Sequence, residues 1–156
     1  MTLTKRSFLF AVVLVAAVVT GSMLVRADQG NQSLPAVTVY KDANCGCCSL
    51  WVTHMERAGF RVTATNTADM PALRAKHGVP AHVQSCHTAI VDGFIVEGHV
   101  PAEDVKRMLT SRPAVKGIAV PGMPVGSPGM EQGTVKHAYS VLTFDAAGRT
   151  TVFARH

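Results

Sequence analysis

The sequence predicts an α/β fold in the order β-α-β-α-β-β-α, and three observations carry that expectation. Two β-branched runs, AVTVYK at 36–41 and FRVTATN at 60–66, are each followed by a segment with helix start and stop signals. Asp92-Gly93 joins two apolar runs in TAIVDGFIVEG, the strongest short-range hairpin signal. VPAEDVKRMLTSRP then places Pro101 near a first helical turn and Arg112-Pro113 beyond a helix end.

Each element follows from local chemistry. The first strand covers Ala36–Lys41. The helix CCSLWVTHMERAG follows, with Asp42 or Asn44 available as its cap and Gly59 as its stop. FRVTATN alternates as the second strand, and DMPALRAKHG has an Asp cap, a proline near the first turn and a closing glycine. A loop, AHVQSCH, leads into the hairpin. Further on, VPGMPVGSPGM (120–130) holds three Pro, three Gly and two Met and can be neither helix nor central strand. YSVLTFDAAGRTTVFA reads as an additional hairpin around Asp145–Gly148. The order of elements, with a cysteine motif directly after the first strand, resembles the thioredoxin-like fold.

The first 27 residues read as a secretory signal. Lys5 and Arg6 precede an apolar stretch from about Phe8 to Val19, and the small residues Val25 and Ala27 frame a cleavage site. An uncleaved membrane anchor is the alternative. Either way the working part is expected outside the cytoplasm, in the periplasm, with residues 28–35 as a tether and 36–156 as a single domain. The whole chain has 15 Lys+Arg against 10 Asp+Glu, but the signal takes three of the basic residues and none of the acidic ones. The remainder has no basic cluster of the kind that binds nucleic acid.

Three of the four cysteines crowd into Asn44-Cys45-Gly46-Cys47-Cys48, and the fourth is Cys86. Cys45 and Cys48 have the C-x-x-C spacing of redox dithiols at a helix start, where unpaired N–H groups and the helix dipole stabilise thiolate. Cys47 exceeds what a dithiol needs. Adjacent Cys47 and Cys48 cannot pair without severe strain. In the thioredoxin-like pattern, the hairpin is preceded by a proline that faces the cysteine motif. Laid on this chain, Thr88 follows that position, His87 occupies it and Cys86 precedes it, so four sulfurs are expected to converge. Soft thiolates suit Cu(I), singly or in a cluster with bridging sulfurs. A structural zinc site commonly uses two C-x-x-C knuckles, and only one is present. Metal-free thiol chemistry and a domain with two structural disulfides are the other readings.

NCGCCSLW, GVPAHVQSCHTAIVDGFIVEGHVPAEDVKRML and GIAVPGMPVGSPGM together resemble the CopG-like family of small secreted thioredoxin-like copper-resistance proteins. The resemblance spans about Val37–Phe153. It implies copper binding at Cys45, Cys47, Cys48 and Cys86, and cycling between Cu(I) and Cu(II). It also implies copper ions as ligand and periplasmic copper-handling proteins as partners. The alternative function is thiol–disulfide exchange, with Cys45 attacking and Cys48 resolving.

Other residues are weighed by position. His87 adjoins Cys86 and is a candidate ligand. Met123 and Met130 carry thioethers in the Pro/Gly loop and are candidate ligands or lid residues. His54 lies two turns along the first helix from Cys47, about 10 Å away, too far to share its ion; a surface role is expected. Trp51 is expected in the core. His77, His82, His99, His137 and His156 show no pairing at metal-ligand spacing in sequence, which leaves proximity in space open.

Overall fold

Residues 33–156 are described in a computed structural model. The expected signal and residues 28–32 of the tether lie outside the described residues. The elements are β1 (Val37–Lys41), α1 (Gly46–Arg57), β2 (Val62–Asn66), α2 (Met70–His77), a 3-10 turn (Ala81–Val83), β3 (His87–Val91), β4 (Phe94–Glu97), α3 (Ala102–Ser111), β5 (Gly117–Ala119), β6 (Ser140–Phe144) and β7 (Thr150–Arg155). Apart from the 3-10 turn, the elements from β1 to α3 follow the expected order. The result is a mixed α/β fold around one seven-stranded sheet, ordered β2-β1-β3-β4-β5-β6-β7. The β1–β2 and β4–β5 pairs are parallel and the other four pairs are antiparallel.

The helix signals mostly translate into caps. Asp69 accepts the Ala72 N–H at 2.9 Å, and Gly78 ends α2 at φ 63. At α1 the expected cap is wrong. Asp42 is spent on an Asx turn with the Asn44 N–H at 2.8 Å, and the N-cap is Cys45, which makes no capping bond. The first-turn N–H groups are thereby left facing the cysteine cluster rather than a carboxylate. Asp92 and Gly93 both have positive φ (48 and 84), as a two-residue type I′ turn requires. The turn sets Val91 opposite Phe94 and Thr88 opposite Glu97.

The sheet buries both faces. Val96 and Ile118 pack with Val37, Val39, Trp51, Met55, Val105 and Met108, beneath α1 and α3. Their chain neighbours Ile95 and Ala119 pack with Val79, Val83 and Phe144. Successive residues belong to different clusters because strand side chains alternate between faces. Trp51 is fully buried, as expected, and its Nε1–H donates to the Val100 carbonyl at 2.8 Å.

Candidate metal centre

The four cysteines converge at the start of α1. One sulfur from each of Cys45, Cys47, Cys48 and Cys86 lies within 4.8 Å of the others. Three reach the site because C-x-C-C forms the N-cap and first turn of α1. Cys86 reaches it from the loop entering β3, which runs antiparallel beside β1. Cys45 and Cys48 are joined as a disulfide, with Cα atoms 5.3 Å apart, while Cys47 and Cys86 are free. Cys47 Sγ lies 3.6 Å from Cys45 Sγ, and Cys48 Sγ lies 3.9 Å from the Cys86 carbonyl.

Two imidazoles complete the surroundings. His87 and His99 are both fully buried, and Cys86 Sγ is 3.3 Å from His87 Nδ1 and 2.9 Å from His99 Nε2. His99 Nδ1 is 2.8 Å from the Pro128 carbonyl. A carbonyl only accepts, so Nδ1 carries the proton and Nε2 presents its lone pair to Cys86. A backbone carbonyl fixing the distal nitrogen is the usual arrangement behind a metal-ligating histidine. His87 packs on Trp51, with ring centroids 4.5 Å apart, and its Nε2 is buried without a hydrogen-bond partner. Burial, then the neighbouring charge of His99, holds the His87 ring down to a pKa of about 3, so it is neutral and ligand-competent.

His99 has no ligand spacing along the chain, and the proximity in space that sequence left open is found at Cys86. The signal was present in the hairpin. A two-residue turn at Asp92-Gly93 carries the register Val91–Phe94 and Thr88–Glu97 outward until Cys86 faces His99. His54 also departs from its expected surface role. It is half-buried, and its Nε2 accepts the Ala102 N–H at 3.0 Å, satisfying one orphan donor at the start of α3.

The Cys86 loop is held by a buried carboxylate that sequence reading missed. Glu97 is fully buried. Its Oε1 accepts from Arg74 Nε at 2.9 Å and from the Ser85 N–H at 2.8 Å, and its Oε2 accepts from the Thr88 hydroxyl at 2.6 Å. Arg74 also donates to the Ser85 carbonyl, and Ser85 Oγ to that of Gly122. Burial pushes the Glu97 carboxyl upward, against the pull of these donors. A charged residue closing the apolar strand FIVE was the available clue. Gly98, at φ 73, leaves no room for a side chain, since a Cβ would meet Ser85 and sit 2.7 Å from the Val120 carbonyl.

The Pro/Gly loop covers the cysteine helix. A Cβ on Gly129 would lie 2.8 Å from the Cys47 carbonyl and 2.9 Å from the Trp51 nitrogen, so backbone meets backbone there. Met130, next along, is half-buried, whereas Met123 is 53% exposed on the rim beside Gly122. Burial, then Cys47, pushes the Cys86 thiol up to about 12. Without a cation Cys86 therefore keeps its proton, and a metal ion binds there by displacing it. A neutral pair of imidazoles beside four sulfurs fits a soft metal ion.

A family model described as "Protein of unknown function, DUF411" matches residues 83–130, which include Cys86, His87, His99 and the covering loop. No curated protein sequence matches the chain. Two solved structures, described as "Copper resistance protein copG- Form 2" and "Copper resistance protein copG- Form 1", are each 49% identical to it, with TM-score 0.75. The alignments cover 79% of this chain and 98% of each of those. At that identity over nearly their whole length, the chain belongs to the CopG-like family.

Proposed function

We propose that this chain is a periplasmic copper-binding protein of copper resistance, exported by its N-terminal signal. It holds Cu(I) through the thiolates of Cys45, Cys47, Cys48 and Cys86 on a thioredoxin-like scaffold. The observation that carries the reading is the convergence of four sulfurs within 4.8 Å at a helix N-terminus. Thiolates select a soft ion, and sulfurs this close can bridge more than one. His87 and His99 adjoin Cys86 as nitrogen donors, and Met130 belongs to the loop that shields the sulfurs. The name of the two similar structures points to the same metal. With Cys45–Cys48 closed, two sulfurs are withdrawn, so full capacity requires reduction of that disulfide. Cu(I)/Cu(II) interconversion belongs to the same reading.

The disulfide itself favours a second reading, thiol–disulfide exchange at Cys45/Cys48. Cys47 separates the two functions. Exchange needs one attacking and one resolving thiol, so Cys47→Ser spares it, whereas a copper site loses a ligand. The test is copper bound per chain and insulin-disulfide reduction, measured on the parent and Cys47→Ser. Lower copper with intact exchange supports the copper site. Unchanged copper with collapsed exchange supports the oxidoreductase. One equivalent of zinc without copper in protein purified from the periplasm contradicts both.

A further inference from the structure

Two Lys and Arg side chains are buried among the described residues, and one of them is neutralised: Arg74 pairs with Glu97 at 2.9 Å. Lys41 is only 7% exposed, yet it makes no ion pair among the described residues. Its place follows from the strand. Val37, Val39 and Lys41 are the buried residues of β1 and share one face, since strand side chains alternate. Val37 and Val39 pack with Trp51, and Lys41 ends that stripe where the chain turns into the cysteine helix. In the antiparallel β1–β3 register Lys41 stands opposite His87, whose ring packs on the same Trp51. Lys41 Nζ donates to the Asp42 carbonyl at 3.1 Å, and the Cys45 N–H donates to that same oxygen at 3.2 Å. The ammonium and the first residue of the cysteine motif therefore flank one atom. The Asp42 carboxylate does not serve as counter-charge, because it accepts the Asn44 N–H instead.

We propose that Lys41 is the counter-cation of the metal-loaded cysteine cluster: its buried charge is uncompensated in the metal-free chain and is neutralised when deprotonated sulfurs hold the metal. The inference rests on the metal–thiolate reading above. A buried ammonium with one carbonyl partner is costly, since it has given up water and gained no opposite charge. Neutral thiols or a disulfide leave that cost in place. Four thiolates carry four negative charges, so with fewer than four Cu(I) ions the loaded cluster is an anion beside Lys41 and the positive end of α1. Metal binding then removes the penalty at Lys41, and Lys41 in turn strengthens metal binding without touching the ion.

The test uses the full chain with all four cysteines reduced, under anaerobic conditions. Cu(I) affinity is read by competition with a chromophoric chelator, and the urea midpoint of the metal-free protein is measured alongside. Lys41→Gln keeps an N–H donor for the Asp42 carbonyl and removes only the charge. It should weaken Cu(I) binding roughly 10–100-fold, the scale of one unit charge several ångströms away inside a protein. Lys41→Arg returns the charge and should recover most of that loss. The metal-free midpoint of Lys41→Gln should stay at or above that of the parent, because an uncompensated buried charge is gone. A lysine with a merely structural role would lower midpoint and affinity together. Lys41→Met, which has the same expected outcomes, covers the case in which the Gln variant does not fold. Parent-like affinity in both uncharged variants, a lowered metal-free midpoint in both, or no recovery in Lys41→Arg would each overturn the inference and leave the copper reading standing. A parent that does not bind Cu(I) rejects instead the function on which the inference rests.

Discussion

His99 Nε2 lies 2.9 Å from Cys86 Sγ although 13 residues separate them, because a two-residue turn folds β4 back on β3 in the register that brings them together. Through Pro128, the same histidine also ties the cysteine cluster to the Pro/Gly loop.

His99→Ala is therefore expected to lower copper affinity by roughly 10–100-fold, the range seen when groups supporting a metal site are removed. His54→Ala should leave the affinity within about twofold, since His54 caps α3 instead. Chelator competition on both variants reads this directly. Equal losses at the two histidines would reject the placement of the site.

Glu97→Ala leaves Arg74 buried without its carboxylate and releases Ser85 and Thr88. The expected loss of stability is about 3–5 kcal/mol, as for breaking a buried pair on one side. Urea unfolding measures it. Glu97→Gln keeps acceptor capacity and should lose less; a loss under about 1 kcal/mol for the alanine variant would contradict the buried network.

Gly129→Ala forces a side chain at φ 84 against the Cys47 carbonyl and the Trp51 nitrogen. A cost of about 1–3 kcal/mol is expected, together with faster alkylation of Cys47 as the loop lifts. Unchanged stability and unchanged alkylation would mean that the loop does not cover the helix.

The metal-free protein should lose stability in mild acid through His87. Its folded pKa is held by burial at about 3 against an ordinary 6.5. Below pH 6.5 the unfolded chain takes up a proton that the folded chain refuses until about pH 3. The stability associated with a neutral His87 is present above that window and is lost as pH falls through it. Replacing His87 by Ala should flatten this part of the profile. A parent profile flat from pH 6.5 to 4 would contradict the burial.

Much of the fold was legible because its signals are local. Asp69, Gly78 and Asp92-Gly93 each act within a few residues, and the sequence-based order of elements follows from them. β5 was not legible. Its three residues, Gly117–Ala119, carry no periodicity and become a strand only by lying between β4 and β6. The convergence of Cys86 on the first helix was expected from laying the thioredoxin-like pattern on Cys86, His87 and Thr88, and it is present among the described residues. His99 and Glu97 could not be found from spacing along the chain, because their partners are set by cross-strand register and burial. The Asp42 cap failed because the Asn44 N–H lies nearer and takes the carboxylate first.

On the proposed function, these sulfurs form one copper site whose capacity depends on the Cys45–Cys48 bond. The most direct measurement is anaerobic Cu(I) titration of the parent, with that disulfide first closed and then reduced, against a chromophoric Cu(I) chelator. The reduced protein should bind more Cu(I) per chain, or bind it at least about 100-fold more tightly, because two further thiolates join the set. Identical titration curves for the two forms would contradict it.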